Sequence, residues 1–377
     1  MKILHLASFS GNIGDRINHF GFYPWIKTFF KKNIDWKKLE MRDFYSSKLR
    51  FDDSFIELAN ASDLVIIGGG NYFELWPNHS RTGISIDLLP QDYEKIKTPI
   101  FINAIGVDSG QGICVNAHQQ LPGIMNFINN SNRILFSVRN DGSKRSISSF
   151  TNDDTSINIL PDHGFFAHGH EIKNSQIKKG PFNLGINLAM DMNEIRFKGL
   201  SEKEFIEIFA DKLSELIAKF DIHLTLFSHV YSDLIVLNRV LERIPELFRR
   251  HKMTFVEFED SETNAIRILD KYRTLDLNIG MRFHSNVASI GAGVSTLGLV
   301  NYPQIRNLYE ELGQENLCFD VTTEIGINKL FDEIAENIVN DNRHAIINSE
   351  MMNKIKNQRN LFSSKLDAWL SKNNLTI

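Results

Sequence analysis

The chain has 377 residues, 42% of them hydrophobic and 23% charged, with a formal net charge of −4 and a pI near 6.3. That length suits two domains with a sizeable core, and the faint acidity excludes a nucleic-acid binder, which carries a strong basic excess. The two cysteines, Cys114 and Cys318, lack metal-ligand spacing and read as reduced thiols rather than a disulfide framework.

The first element is KILHLAS (2–8), a short apolar run that reads as a buried strand. It is too short for a signal peptide, and no later stretch reaches the roughly 18 apolar residues of a membrane span. The expectation is a soluble, cytoplasmic protein. GNIGD (11–15) follows, with Asn12, Gly14 and Asp15 at the start of a helical pattern that runs from Asp15 to Phe30. Glycines allow a tight turn there, and the helix start offers N–H groups to an anion or a sugar hydroxyl. Asp15 reads equally as a helix cap. The spacing is not GxGxxG, so no dinucleotide site is indicated.

DLVIIGG (63–69) is the next strand, and it ends in GGGN (68–71). Gly69 and Gly70 let the backbone approach a ligand closely, or let the following segment pack tightly on the sheet. Asn71, Tyr72, Phe73 and Trp76 suit a sugar site, although aromatic residues in this number also serve a core. PIFINAIG (99–106) and RILFSVR (133–139) are further strands. The second leaves Arg139 just past a buried run, where a charge must be paired or point into a cleft. Ser143 follows. SINILP (156–161) ends in Asp162 and His163; turn chemistry alone accounts for the aspartate. The polar stretch 168–182, ending in Lys-Lys-Gly-Pro, is the best linker candidate.

The pattern then restarts with strands at 182–189, 222–228, 253–258, 275–280 and 296–300. Between the first two, 201–220 is an amphipathic helix opened by a capping box of Ser201 and Glu204. FSHVYSD (227–233) places His229 and Asp233 after a strand; a turn histidine and a helix N-terminal charge explain both without a substrate. NIGMRFHSNVASIGAGV (278–294) is the most informative stretch. Its strand ends at Gly280, its small residues pack a helix closely on the sheet, and Arg282, His284 and Ser285 stand at the junction. An arginine grips a carboxylate or phosphate through two parallel bonds, and a histidine takes or gives a proton near neutral pH.

Strands alternating with helices predict an α/β fold of two Rossmann-like domains, their parallel sheets facing a central cleft, with a C-terminal helical segment. The expected boundaries are 1–175, 176–324 and 325–377. Ligands gather at the carboxyl ends of such strands, and most of the unusual residues stand there.

In their order, NxGD, GGGN after DLVII, SVR followed by Ser143, PD, RFHS and NYPQIRNLYEELG (301–313) resemble the polysaccharide pyruvyl transferase family over roughly residues 7–315. The resemblance implies a GT-B-like fold and transfer of pyruvate from phosphoenolpyruvate onto two sugar hydroxyls, forming a cyclic ketal in surface polysaccharides. It also implies that Arg139 and Arg282 hold the donor and that His284 is the general acid. Asn12, Gly14, Asp15, Gly69, Gly70, Asn71, Ser143, Asp162, His163, His229 and Ser285 are then the candidate substrate contacts. No cofactor is expected, and no ligand cluster for a metal is apparent. The sequence departs from the family pattern at Asn140, before Asp141, and at Arg16 and His19 in the first helix.

Two other readings fit the pattern: a GT-B glycosyltransferase using a nucleotide sugar, and a non-catalytic saccharide-binding homologue. The basic amphipathic stretch 354–372 reads either as a brace returning to the first domain or as a peripheral membrane contact near a lipid-linked acceptor. Acceptor sugar and oligomeric state are not encoded in any motif.

Overall fold

The computed structural model describes residues 1–150, 157–169, 180–341 and 347–375. The chain forms two compact units, each interrupted in sequence. The first holds Met1–Phe9, Phe22–His163 and Lys354–Ile377, and the second holds Ser10–Gly21 and Gly164–Asn353. Where the sequence suggests boundaries at 175 and 324, the chain therefore passes between units after 9, 21, 163 and 353. Of the expected linker, residues 170–179 lie outside the described residues, as does Ser156 of the expected strand at 156–161.

The first unit is built on strands β1 (Lys2–Ala7), β2 (Asp35–Glu40), β3 (Leu64–Gly68), β5 (Ile100–Ile105), β7 (Ile134–Val138) and β8 (Asn158–Ile159). They lie side by side in the order β2-β1-β3-β5-β7-β8, all parallel. A separate ladder pairs β4 (Phe73–Glu74) with β6 (Val107–Asp108). Strands β1, β3 and β5 are covered on both faces, which explains their continuous apolar runs. On one face Phe22, Trp25 and Phe101 pack with Phe362, Leu366, Trp369 and Leu370 of the helix Ile347–Lys372. The apolar side of that helix is thus buried in the first unit's core, the bracing arrangement.

The second unit repeats the design. Strands β9 (Phe182–Asn187), β10 (Ile222–Phe227), β11 (Met253–Val256), β12 (Leu277–Gly280), β13 (Ser295–Val300) and β14 (Cys318–Asp320) are arranged β11-β10-β9-β12-β13-β14, again all parallel. The expected capping box forms as written: Ser201 Oγ accepts from the Glu204 N–H, and the Glu204 carboxylate accepts from the Ser201 N–H at 2.8 Å. The helix Ile13–Lys27 begins in this unit, where Ile13 and Ile17 pack with Phe227, Ile268, Tyr272 and Ala288. No helix among the described residues is long and apolar enough to cross a membrane.

Candidate functional site

In both units the candidate residues gather at the carboxyl ends of the parallel strands, where strand and helix dipoles leave polar groups exposed to a ligand.

In the second unit β12 ends at Gly280, and Arg282 is the N-cap of the helix Phe283–Gly291. Asn286 fixes the turn by donating to the Gly280 and Arg282 carbonyls at 2.8 and 2.9 Å, and Tyr309 donates to Asn286 Oδ1 at 2.9 Å. The backbone geometry at Arg282 is therefore held from three sides.

The Arg282 side chain is equally constrained. Its Nε donates to both oxygens of Asp233, at 2.9 and 2.8 Å, and its Nη2 donates to Asp233 Oδ1 at 2.5 Å and to Asp191 Oδ1 at 2.8 Å. Its own N–H is held by Asn187 Oδ1 at 3.0 Å. Nη1 makes no bond among the described residues. Burial opposes the guanidinium charge, but Asp233 and Asp191 outweigh it and raise the pKa above the ordinary arginine value. Asp233 is fully buried and also accepts from the His229 and Val230 N–H groups, capping the helix Tyr231–Arg243. Asp191 bridges to Arg196 at 3.6 Å, and Arg196 lies over the Tyr302 ring. Burial raises the Asp191 pKa, but Arg282 and Arg196 bring it below the usual carboxylate range.

His284 is 7% exposed and sits in the first turn of its helix. Gly14 lies against its ring: a Cβ at position 14 would come within 2.7 Å of the His284 Cβ and Cγ, closer than real carbons approach. The GNIGD turn is itself fixed within this unit. Asn12 Oδ1 accepts from the Gly14 N–H at 2.8 Å, the Ile13 N–H donates to the His229 carbonyl at 2.9 Å, and Gly11 and Arg16 both donate to Asp260. Asp15 is buried in the first helical turn, near the positive end of the helix dipole.

His229 and Ser285 stand behind this cluster in a buried chain. Tyr272 donates to Ser285 Oγ at 2.9 Å, which obliges His229 to donate from Nε2 to the Tyr272 hydroxyl at 2.8 Å. Burial, with the nearby Arg282 and His284 charges, lowers the His229 pKa to about 3. The imidazole is therefore neutral at physiological pH.

The other candidates lie in the first unit. Arg139 is 3% exposed; its Nε donates to Asp141 at 2.5 Å, Asp162 lies 3.9 Å from its Nη1, and its Nη2 reaches Asn71 Oδ1 at 3.5 Å. Burial opposes its charge, yet Asp141, Asp162 and Asp108 keep its pKa above the ordinary value. Asn71 in turn donates to Asp108 at 3.0 Å. Ser143 Oγ donates to Asp141 and accepts from the Val107 N–H at 2.7 Å. His163 is fully buried, its Nε2 2.9 Å from Asn103 Oδ1, with Trp25 and Phe22 against the ring. Gly69 donates to the Asn103 carbonyl at 3.3 Å, and a Cβ on Gly70 would strike the Tyr72 ring. The glycine run thus lies closely against its neighbours.

Sequence reasoning missed Asp191, Arg196, Asn187 and Tyr272. Asn187 ends β9 and Asp191 follows it, and the strand-end rule extends to them. Arg196 and Tyr272 sit in helices and carry no local signal. Among the described residues no group of three or more histidines, cysteines or carboxylates is arranged to hold a metal ion.

A sequence model described as polysaccharide pyruvyl transferase matches residues 11–302. Among curated proteins, none matches this chain. Similar solved structures include Anabaena HepE in complex with UDP and glucose, at 13% identity and a TM-score of 0.55 over 98% of this chain and 100% of that one. The UDP-GlcNAc 2-epimerase from Neisseria meningitidis bound to UDP-GlcNAc is 11% identical, with a TM-score of 0.55 over 97% and 99% of the two chains. A glycosyltransferase from Rickettsia africae is 12% identical, with a TM-score of 0.56 over 98% of each. At these identities the likeness is one of fold, the GT-B arrangement of two α/β domains with parallel sheets.

Proposed function

The chain belongs to the polysaccharide pyruvyl transferase family, and from that premise we propose that it moves the pyruvyl group of phosphoenolpyruvate onto two hydroxyls of a saccharide, forming a cyclic ketal. The observation that carries this reading is the state of Arg282. Two carboxylates lock its Nε and Nη2, its Nη1 is committed to no partner among the described residues, and His284 lies two residues away. A guanidinium held in this way meets an anionic donor without losing side-chain freedom at the moment of binding.

In the proposed reaction the protonated His284 imidazole gives its proton to the methylene carbon of the donor. The neighbouring carbon becomes oxocarbenium-like, and a sugar hydroxyl attacks it, releasing its own proton. Phosphate leaves, a second hydroxyl attacks the same carbon and releases a second proton, and the ketal closes. General acid catalysis of this type contributes roughly 10²–10⁴-fold. Asp233 and Asp191 act through Arg282, keeping it charged and aimed.

The test is calorimetric titration with phosphoenolpyruvate, together with mass spectrometry of a saccharide product. Saturable donor binding that weakens in Arg282→Ala and persists in His284→Ala, where transfer is lost, is the expected result. Undiminished transfer in His284→Ala removes that residue from the acid role, and absence of donor binding in the wild type removes the reaction.

A further inference from the structure

The first unit holds a cavity of about 850 Å³ whose lining, Trp76 apart, contains none of the candidate residues read from the sequence. This lies within the roughly 300–1,000 Å³ range of small-molecule sites. One wall is the loop that follows the helix Met41–Tyr45 and runs into the helix Asp53–Asn60. The other is the segment from Glu74 to Asp92.

The lining is aromatic and acidic together. Phe44 and Phe51 stack at 4.3 Å on the first wall. Trp76, half-buried on the second, makes no ring contact and no indole hydrogen bond among the described residues. Its N–H is uncommitted among the described residues, and the ring lines the cavity. Five carboxylates, Asp52, Asp53, Glu74, Asp87 and Asp92, line the space against two arginines. Of these arginines, Arg81 is already paired with Asp87 and Asp92 at 3.2 and 3.1 Å. A phosphorylated or nucleotide ligand would meet net repulsion there. An uncharged polyhydroxylated ring suits it: its hydroxyls donate to carboxylates, and its C–H face lies on an indole.

The cavity also adjoins the motif residues of its own unit. Glu74 stands opposite Asp108 in the β4–β6 ladder, Asp108 accepts from Asn71, and Asn71 reaches Arg139. Ser85 donates to Glu74 at 2.6 Å, which holds the carboxyl at the cavity wall. Burial first, and then the Asp108 charge, push the Glu74 pKa up to about 7.

We propose that this cavity binds the uncharged sugar of the saccharide acceptor, with Trp76 as the stacking surface, Glu74 as a hydroxyl partner and Arg50 at the rim. The acceptor role rests on the pyruvyl-transfer reading; the binding of an uncharged saccharide does not.

The test is saturation-transfer NMR on the full chain with millimolar methyl pyranosides of glucose, galactose, mannose and N-acetylglucosamine, run beside calorimetry with phosphoenolpyruvate. We expect a saturable signal from at least one pyranoside that falls at least fivefold in Trp76→Ala and in Glu74→Gln, while donor binding is unchanged. Full signal in both variants overturns the proposal, as does no signal from any pyranoside in the wild type. Signals from UDP that vanish in the same variants overturn the uncharged ligand class. The expected pyranoside pattern without any phosphoenolpyruvate heat keeps the cavity as a saccharide site and removes the transfer reaction.

Discussion

Gly14 and His284 are in contact across 270 positions of sequence, the α carbon of one against the imidazole of the other. No side chain larger than hydrogen fits between them. Gly14→Ala therefore displaces the His284 ring without removing it. A misplacement of about 1 Å costs on the order of 10²-fold in rate, so we expect kcat to fall by about that factor with donor affinity changed much less. Steady-state kinetics beside donor calorimetry checks this, and an unchanged kcat would free His284 from any need for exact placement.

Asp233 holds Arg282 through two bonds from Nε and one from Nη2, and caps a helix with the same carboxylate. Asp233→Asn leaves a buried guanidinium whose charge is countered by Asp191 alone. Breaking a buried pair from one side costs roughly 3–5 kcal/mol, and the expected result is a matching loss of second-unit stability in urea. Asp191→Asn, at a residue whose side chain is 34% exposed, should cost clearly less.

Arg139 sits among Asp141, Asp162 and Asp108. Arg139→Met strands these carboxylates and should destabilise the first unit by roughly 3–5 kcal/mol. Adding Asp141→Asn removes one stranded charge and should restore part of the loss. Tryptophan emission is the natural probe, because Trp25, Trp36, Trp76 and Trp369 all belong to the first unit. A double variant no more stable than the single one would show that the three carboxylates do not depend on Arg139.

Two buried groups give stability opposite pH slopes. His229 has a folded pKa near 3, against 6.5 for the free side chain, so the unfolded chain binds the proton first as pH falls. Its contribution is complete above about pH 6.5 and is lost on descending toward pH 3; His168, lowered to about 4 by burial, adds to the same slope. Glu74 has a folded pKa near 7, so the native state keeps a proton that the unfolded chain releases from about pH 4.5 upward. Its contribution is therefore lost on rising from 4.5 to 7. His229→Gln should flatten the acid limb of second-unit unfolding, and Glu74→Gln the neutral limb of tryptophan-monitored unfolding. Unaltered limbs in either variant would place the titration elsewhere.

The ten strands expected from apolar runs coincide with observed strands; the inner ones, covered on both faces, are written as continuous apolar runs, while β8 and β11 are less buried and carry shorter ones. Strand β2 escaped notice: Asp35, Lys37 and Lys38 give an edge strand no apolar pattern, since only one of its sides is paired. The junction of Arg282 and His284 was legible because a charged pair interrupts a buried strand-to-helix turn. That Arg282 keeps one uncommitted nitrogen while Arg139 lies among three aspartates was not legible, because Asp108 and Asp162, like Asp191 and Asp233 around Arg282, are distant in sequence, and only Asp141 is local. Nor does any local signal show that residues 10–21 leave the unit that begins at Met1.

The discontinuous units carry a consequence for synthesis. The helix Ile347–Lys372 supplies Phe362, Leu366, Trp369 and Leu370 to a core whose other members, Ile3, Phe22 and Phe101 among them, emerge from the ribosome far earlier. At about 5–20 residues per second, the first sheet waits on the order of tens of seconds with one face only partly covered, by Phe22, Trp25 and Ile26. The second unit ends at Asn353, ahead of these four core residues, so it can finish folding while the first still awaits them. The order of maturation reverses the order of translation, and the nascent chain presents a chaperone with an apolar sheet face that the chain itself covers last.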